Sequence, residues 1–268
     1  MTKSKQLKIE DLTSLIEKGY RCKDLLKELN VSKSTLYNYL RKYKLTIPKE
    51  ELYFDNTVFD NIDSDEKAYW LGFLYADGFV NNKYNNSVEL SLKASDKEHL
   101  EKFNKFLKNK RSITVSKAAS INNKEYFRCR CIITDKHFHD RLIELGCVPN
   151  KSLILVLFPS LKIFSNNDLV YSFIRGYIDG DGSITNTSRN KLRIGILGTK
   201  EFLSKIQDIF KNKFGKLLLT RSSKKGINNY QIVSECSKAV DVGNLLYKNA
   251  TVYLERRYKK FAELSKNT

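Results

Sequence analysis

The sequence has no apolar run able to cross a bilayer. Its longest, LILVLF at residues 153 to 158, is far short of the roughly twenty residues a spanning helix needs. The opening MTKSKQLKIEDL has no apolar h-region, so no secretion signal is expected. There are only five cysteines (Cys22, Cys129, Cys131, Cys147 and Cys236), odd in number and without a CxxC pair. They read as reduced thiols of a cytoplasmic protein rather than a disulfide framework. His99, His137 and His139 have no Cys or Glu at zinc-ligand spacing, which argues against structural zinc. Acid is also in short supply. Against 48 Lys and Arg stand 30 Asp and Glu, a net charge of +18. That excess calls for a polyanionic partner, and without a membrane segment nucleic acid leads over a lipid surface.

What is present suits a globular protein of two or three compact units: 268 residues, 41% hydrophobic and 12% aromatic. Residues 1–47 form a small module. IEDLTSLIEKG and RCKDLLKELN each carry an apolar face, and Ser32 is a natural N-cap for a third helix burying Leu36 and Leu40. Three short helices with a tight turn before the last predict a helix-turn-helix domain that binds DNA. Lys33, Ser34, Thr35, Tyr37, Asn38 and Arg41 are the residues expected near bases and phosphates. Residues 48–63 lack a clean period and include Pro48. They read as a linker with some docked aromatics.

The rest is a duplication. LGFLYADG at 71 to 78 and RGYIDGDG at 175 to 182 share an outline, and Asp77 and Asp181 stand 104 residues apart. After each comes an alternating strand (VELSLKAS, LRIGILGT), a helix ending LKNK or FKNK, two further strands and a closing helix. The reading is α+β: two pseudo-symmetric αββαββα repeats, residues 64–165 and 166–268, beside a small all-α helix-turn-helix domain. Alternation puts Val88, Leu90, Leu92, Phe127, Cys129, Cys131 and Ile133 on a core face. The other face, with Lys93, Arg128 and Arg130, is free to follow a DNA groove. Arg193 and Arg221 are expected to do the same in the second repeat.

Both motifs end a buried-looking helix on a carboxylate, where the helix dipole is already negative. Gly72 with Ala76, and Gly176 with Gly180, put small residues on one face of each helix. Two such helices can pack closely, bringing Asp77 and Asp181 side by side. Gly78 and Gly182 suit a left-handed residue that stops a helix. A divalent cation would relieve the repulsion, held by the two carboxylates and the last-turn carbonyls of Ala76 and Gly180. Such a hard, oxygen-only site suits Mg²⁺, with Mn²⁺ the alternative. Metals beside a phosphodiester can activate water and stabilise the leaving oxygen. DGDGS fits neither an EF-hand nor a GxGxxG loop, since Ile184, Asn190 and Thr185 stand where Gly, Glu and Gly are needed.

WLGFLYADG (70 to 78) and IRGYIDGDG (174 to 182) align without gaps to the nine-residue motif of the LAGLIDADG homing endonucleases. The chain resembles the single-chain, two-motif form of that family over roughly residues 64 to 268. The resemblance implies a DNA-binding saddle and metal binding by the second acid of each motif, here Asp77 and Asp181. The first acid is Asp179 in the second copy and Tyr75 in the first. The family's basic residue near the scissile phosphate maps to Lys151 in VPNKSLILVLFP and, more loosely, to Arg256 or Arg257 in YLERRY. The implied activity is site-specific hydrolysis of both strands of DNA by a monomer. It would promote mobility of its own gene or host intron in a bacterial, phage or organellar genome. From Met at the start to LSKNT at the end, the chain shows neither the N-terminal nucleophile nor the C-terminal Asn of an intein, so a free-standing enzyme is expected. The alternative is a non-cleaving DNA-binding regulator, or a maturase bound to intron RNA, on the same fold.

Overall fold

The computed structural model describes residues 8–47, 54–81, 86–121, 124–149, 157–221 and 230–268. They divide into two units, residues 1–53 and 54–268.

The first unit contains α1 (Ile9–Glu17), α2 (Cys22–Leu29) and α3 (Lys33–Lys42). Leu12, Leu25, Leu36 and Leu40 are its buried centre, with Leu15, Ile16, Leu26 and Val31 packed around them. The turns follow local chemistry. Gly19 after α1 and Asn30 after α2 are left-handed, at φ 82° and 49°. Ser32 then caps α3, its Oγ accepting the Thr35 N–H at 3.1 Å.

In the second unit, α4 (Asp65–Asp77), β1 (Gly78–Val80), β2 (Ser87–Lys93), α5 (Lys97–Phe106), β3 (Thr114–Ile121), β4 (Lys124–Thr134) and α6 (Lys136–Glu144) form one repeat. The other consists of α7 (Leu169–Asp181), β5 (Ser183–Asn186), β6 (Leu192–Gly198), α8 (Lys200–Phe214), β7 (Leu218–Arg221), β8 (Tyr230–Glu235) and α9 (Cys236–Tyr247). Each makes one antiparallel four-stranded sheet, in the same order: β1-β2-β4-β3 and β5-β6-β8-β7. Ser64, Asp135 and Thr199 cap α4, α6 and α8. One further helix, α10 (Glu255–Ser265), lies outside the αββαββα scheme and follows YL in the YLERRY segment.

Residues 54 to 62 belong to the core of this unit rather than to a linker. Phe54, Val58, Phe59 and Ile62 are buried, and Phe59 packs on the rings of Phe106 and Phe138. The strands alternate as their sequence requires. Val88, Leu90, Leu92, Cys129, Cys131 and Ile133 are all buried. Phe127 shares their phase yet is 47% exposed, because it lies toward the end of β4 away from the core.

The two motif helices are the axis of the unit, and glycine sets their spacing. A Cβ on Gly72 would sit 1.9 Å from the Phe173 carbonyl oxygen. One on Gly176 would sit 2.0 Å from that of Tyr69. These contacts exchange under the 104-residue repeat, so α4 and α7 cross about a pseudo-two-fold axis. Only glycine permits such backbone approach, which also brings Cα–H groups onto carbonyl oxygens.

Candidate functional site

Both motif acids are the last residues of their helices. A Cβ on Gly180 would lie 2.5 Å from the Ala76 Cβ and 3.3 Å from Asp77 Oδ2, so the Asp77 carboxylate rests against the last turn of α7. Burial pushes the Tyr177 hydroxyl above the usual phenol range, and the charges of both Asp181 and Asp77 add to that push. One buried ring therefore feels both acids. Asp181 is exposed and Asp77 half-buried, open to a substrate.

Gly78 and Gly182 differ from their expected role. Neither is left-handed: φ is −69° at Gly78 and −80° at Gly182, with extended ψ. The chain runs directly from each helix into a strand, Gly78 pairing with Leu90 and Ser183 with Gly195. Glycine is needed for space instead, since a Cβ would fall 2.5 Å from the carbonyl oxygens of Leu74 and Ile178 respectively.

The sequence left Arg256 and Arg257 as alternatives, and the structure separates them. The Arg256 Nε donates to the Asp96 carboxylate of the first repeat at 3.0 and 3.1 Å. Arg257 instead turns its Nη2 to the Gly182 carbonyl at the end of the second motif. Its Nε is buried with no hydrogen-bond partner among the described residues. Burial first, then the neighbouring Arg256 charge, holds the Arg257 guanidinium below its ordinary range, while Asp179, Tyr247 and Asp77 oppose them. Lys151 lies outside the described residues.

Two buried polar clusters brace the helices, and sequence reasoning missed both. Arg175, only 1% exposed on α7, donates both hydrogen bonds of one Nη2 to Asp65 at 2.7 and 2.8 Å. Its remaining donors reach the carbonyls of Val252 and Leu246. Burial pushes the Asp65 carboxyl up, but Arg175, Ser172 and Thr251 outweigh it and leave it below the usual carboxylate range. The second cluster centres on Asp179, fully buried, which accepts from Tyr69 Oη at 2.8 Å, Tyr247 Oη at 3.1 Å and the Leu254 N–H at 2.7 Å. Burial pushes its carboxyl up to about 6, against the pull of those donors. His99 Nε2 meets the same Tyr69 hydroxyl at 2.9 Å, and burial lowers its imidazole to about 3. In the first copy Tyr75 replaces this acid and donates to the Leu145 carbonyl at 2.5 Å. A signal for the first cluster was available, since an Arg inside an otherwise apolar helix must find a counter-charge.

On the sheets, ladder register fixes which basic residues share a face. Lys93, Arg128 and Arg130 of the first sheet lie on the polar side with Ser91, Ser116 and Thr114. Phe79, 54% exposed, and Ile132 join them there, flanking Glu89, which approaches Arg130 at 3.8 Å. In the second sheet Arg193 faces outward, 3.4 Å from Glu235. Arg221 is in the phase of Leu219 and Ile232, opposite to Arg193, and is exposed at the end of β7. In the first unit Lys33, Ser34, Tyr37, Asn38 and Arg41 are exposed on α3. Thr35 is half-buried, its hydroxyl 2.8 Å from that of Ser32 in the cap.

Residues 168–263 match the family described as a LAGLIDADG-like domain. The match takes in most of the second repeat. Residues 3–43 match the helix-turn-helix domain of resolvase. No curated protein matches the chain. Among solved structures, the homing endonuclease I-WcaI bound to its DNA recognition sequence is similar at 12% identity and a TM-score of 0.53. The likeness covers 75% of this chain and 87% of that one. The meganuclease I-AabMI bound to uncleaved DNA is 14% identical over 75% and 90% of the two chains, with a TM-score of 0.45. Full-length WhiA from Thermatoga maritima is 18% identical over 81% and 63%, with a TM-score of 0.42. At 12% identity the likeness to the I-WcaI structure is one of fold.

Proposed function

We propose that this LAGLIDADG protein is a site-specific endonuclease that hydrolyses one phosphodiester in each strand of double-stranded DNA at centres built on Asp77 and Asp181. The observation that carries the reading is the seating of the Asp77 carboxylate against Gly180, beside Asp181, at the paired helix ends. Two carboxylates brought together at negative helix termini are costly unless a cation joins them.

The donor set fits a hard divalent cation. It offers carboxylate oxygens and the last-turn carbonyls of Ala76 and Gly180, with no sulfur or imidazole. Among the described residues no group of three or more His, Cys, Asp or Glu could hold a metal ion, so a cation here would rest on the two carboxylates and the carbonyls. Mg²⁺ or Mn²⁺ there would supply charge for the phosphate and a more acidic water. Arg257 contributes a positive charge at Gly182, the residue after Asp181, and Lys151 is assigned the corresponding place in the first repeat. Duplex DNA would lie along the polar sheet faces, met by Lys93, Arg128, Arg130 and Arg193, with Arg221 reaching it only from the exposed end of β7. The α3 face of the helix-turn-helix adds a second contact to the same duplex. By this reading the protein acts as a monomer and promotes the mobility of its own gene or host intron.

The test incubates purified protein with a plasmid library of genomic inserts in Mg²⁺. The expected result is linear DNA cut at discrete sites, absent in EDTA and absent for Asp77→Asn/Asp181→Asn. Specific capture of duplex DNA without breaks would instead favour a regulator; preferential capture of structured RNA would favour a maturase.

A further inference from the structure

Asp179 has no counterpart in the first motif, where Tyr75 stands, and its partners come from three elements. Tyr69 belongs to α4 of the first repeat, Tyr247 ends α9, and Leu254 immediately precedes α10. The bond to the Leu254 N–H, 2.7 Å, is the shortest of the three. Leu254 is the N-cap residue of α10, and its carbonyl accepts the Arg257 N–H at 2.9 Å in the first turn. Arg257 leaves that turn to reach the Gly182 carbonyl. A short path therefore runs from the Asp179 carboxylate through one backbone residue to the guanidinium on the Gly182 carbonyl, next in sequence to Asp181. Arg256, on the same turn, is tied to Asp96, so the turn is held from both sides.

We infer that Asp179 is a positioning residue for Arg257 at the end of the second motif, and that it serves the Asp181 centre more than the Asp77 centre. At the equivalent position of the first motif stands Tyr75, whose hydroxyl donates to the Leu145 carbonyl. The inference rests on the nuclease reading and adds a strand-specific consequence. Removing the Asp179 acceptor leaves the Leu254 N–H and two buried phenols without it, freeing the start of α10. Misplacing a charge by about 1 Å is enough to slow a step by one to two orders of magnitude.

The experiment measures single-turnover cleavage of each strand of a duplex target recovered from the plasmid selection. It compares wild type, Arg257→Ala, Asp179→Ala, Asp179→Asn and Asp179→Ala/Arg257→Ala. The strand slowed by Arg257→Ala identifies the Asp181 centre. Expected for Asp179→Ala is a loss of about tenfold or more on that strand, under about threefold on the other, and nicked product. The double variant should be no slower than Arg257→Ala, because the two act through one group. Asp179→Asn keeps an oxygen for the Leu254 N–H and should recover part of the rate, which also covers the case in which the alanine variant folds poorly. Equal slowing of both strands in the asparagine variant, or multiplied losses in the double variant, would overturn the inference. An Arg257→Ala variant that cuts both strands normally would overturn it and remove Arg257 from the centre, while leaving the nuclease reading intact. If the wild type cuts nothing, both fall together.

Discussion

Gly176→Ala is the sharpest perturbation of the helix pair. The new Cβ would stand 2.0 Å from the Tyr69 carbonyl oxygen and 2.9 Å from the Phe73 nitrogen, both backbone atoms that no rotamer change can move. Clearing them requires α4 and α7 to part by about 1 Å, at an overpacking cost near the top of the usual 1–3 kcal/mol range. For a unit of this size that corresponds to roughly 6–12 °C in Tm. Parting the helices also draws Asp77 away from Gly180, so cleavage should fall more than DNA affinity. Gly198→Ala is the control, because its Cβ meets only side-chain atoms at 3.3 Å or more. Calorimetric melting with both variants gives the answer. A Gly176→Ala protein that melts with the wild type would refute the glycine-dependent crossing.

Three further outcomes follow from the buried polar groups and the basic face. Arg175→Met removes the counter-charge of Asp65 and should cost about 3–5 kcal/mol in urea unfolding, far more than loss of an exposed pair such as Lys97–Glu101. His99 is held neutral down to about pH 3, whereas an unfolded chain protonates it near its ordinary 6.5. Stability due to this group is thus full above 6.5 and declines as pH falls, by up to about 1.4 kcal/mol per unit. Asp179, pushed up to about 6, has the opposite slope between its ordinary value and 6. The wild type and His99→Gln share that slope, so their difference in stability should isolate the histidine; a pH-independent difference would exclude it. Finally, Arg128→Ala should make the slope of log K against log salt shallower by about 0.9 if Arg128 meets one phosphate. An unchanged slope would take it off the DNA.

Much of this architecture was legible because it repeats. The 104-residue spacing aligned the two αββαββα halves, and strand alternation separated Cys129 and Cys131 from Arg128 and Arg130 before any coordinates. Small residues four apart pointed to the helix contact. Local sequence was weaker where the reason for a residue is tertiary. Gly78 and Gly182 looked like left-handed stops because helix-Gly usually means that, yet the requirement is clearance from Leu74 and Ile178 carbonyls. Residues 54 to 62 lack a period because they pack as irregular chain through Phe54, Phe59 and Ile62. Helix α10 was read only as a basic segment, and which of its adjacent arginines faces the motif depends on Asp96, far away in sequence. The first-acid position, Asp179 in one copy and Tyr75 in the other, carried no assigned role in the sequence, and the arrival of Tyr69, Tyr247 and Leu254 gives Asp179 one.

The central claim is that Asp77 and Asp181 each belong to a cutting centre rather than to a structural helix cap. Strand-resolved cleavage of the selected target in Mg²⁺, with affinity measured in parallel in Ca²⁺, tests it in Asp77→Asn and Asp181→Asn. The account predicts that each substitution abolishes or severely slows cutting while duplex affinity stays near that of the wild type. Cleavage of both strands at the wild-type rate by either variant would contradict it.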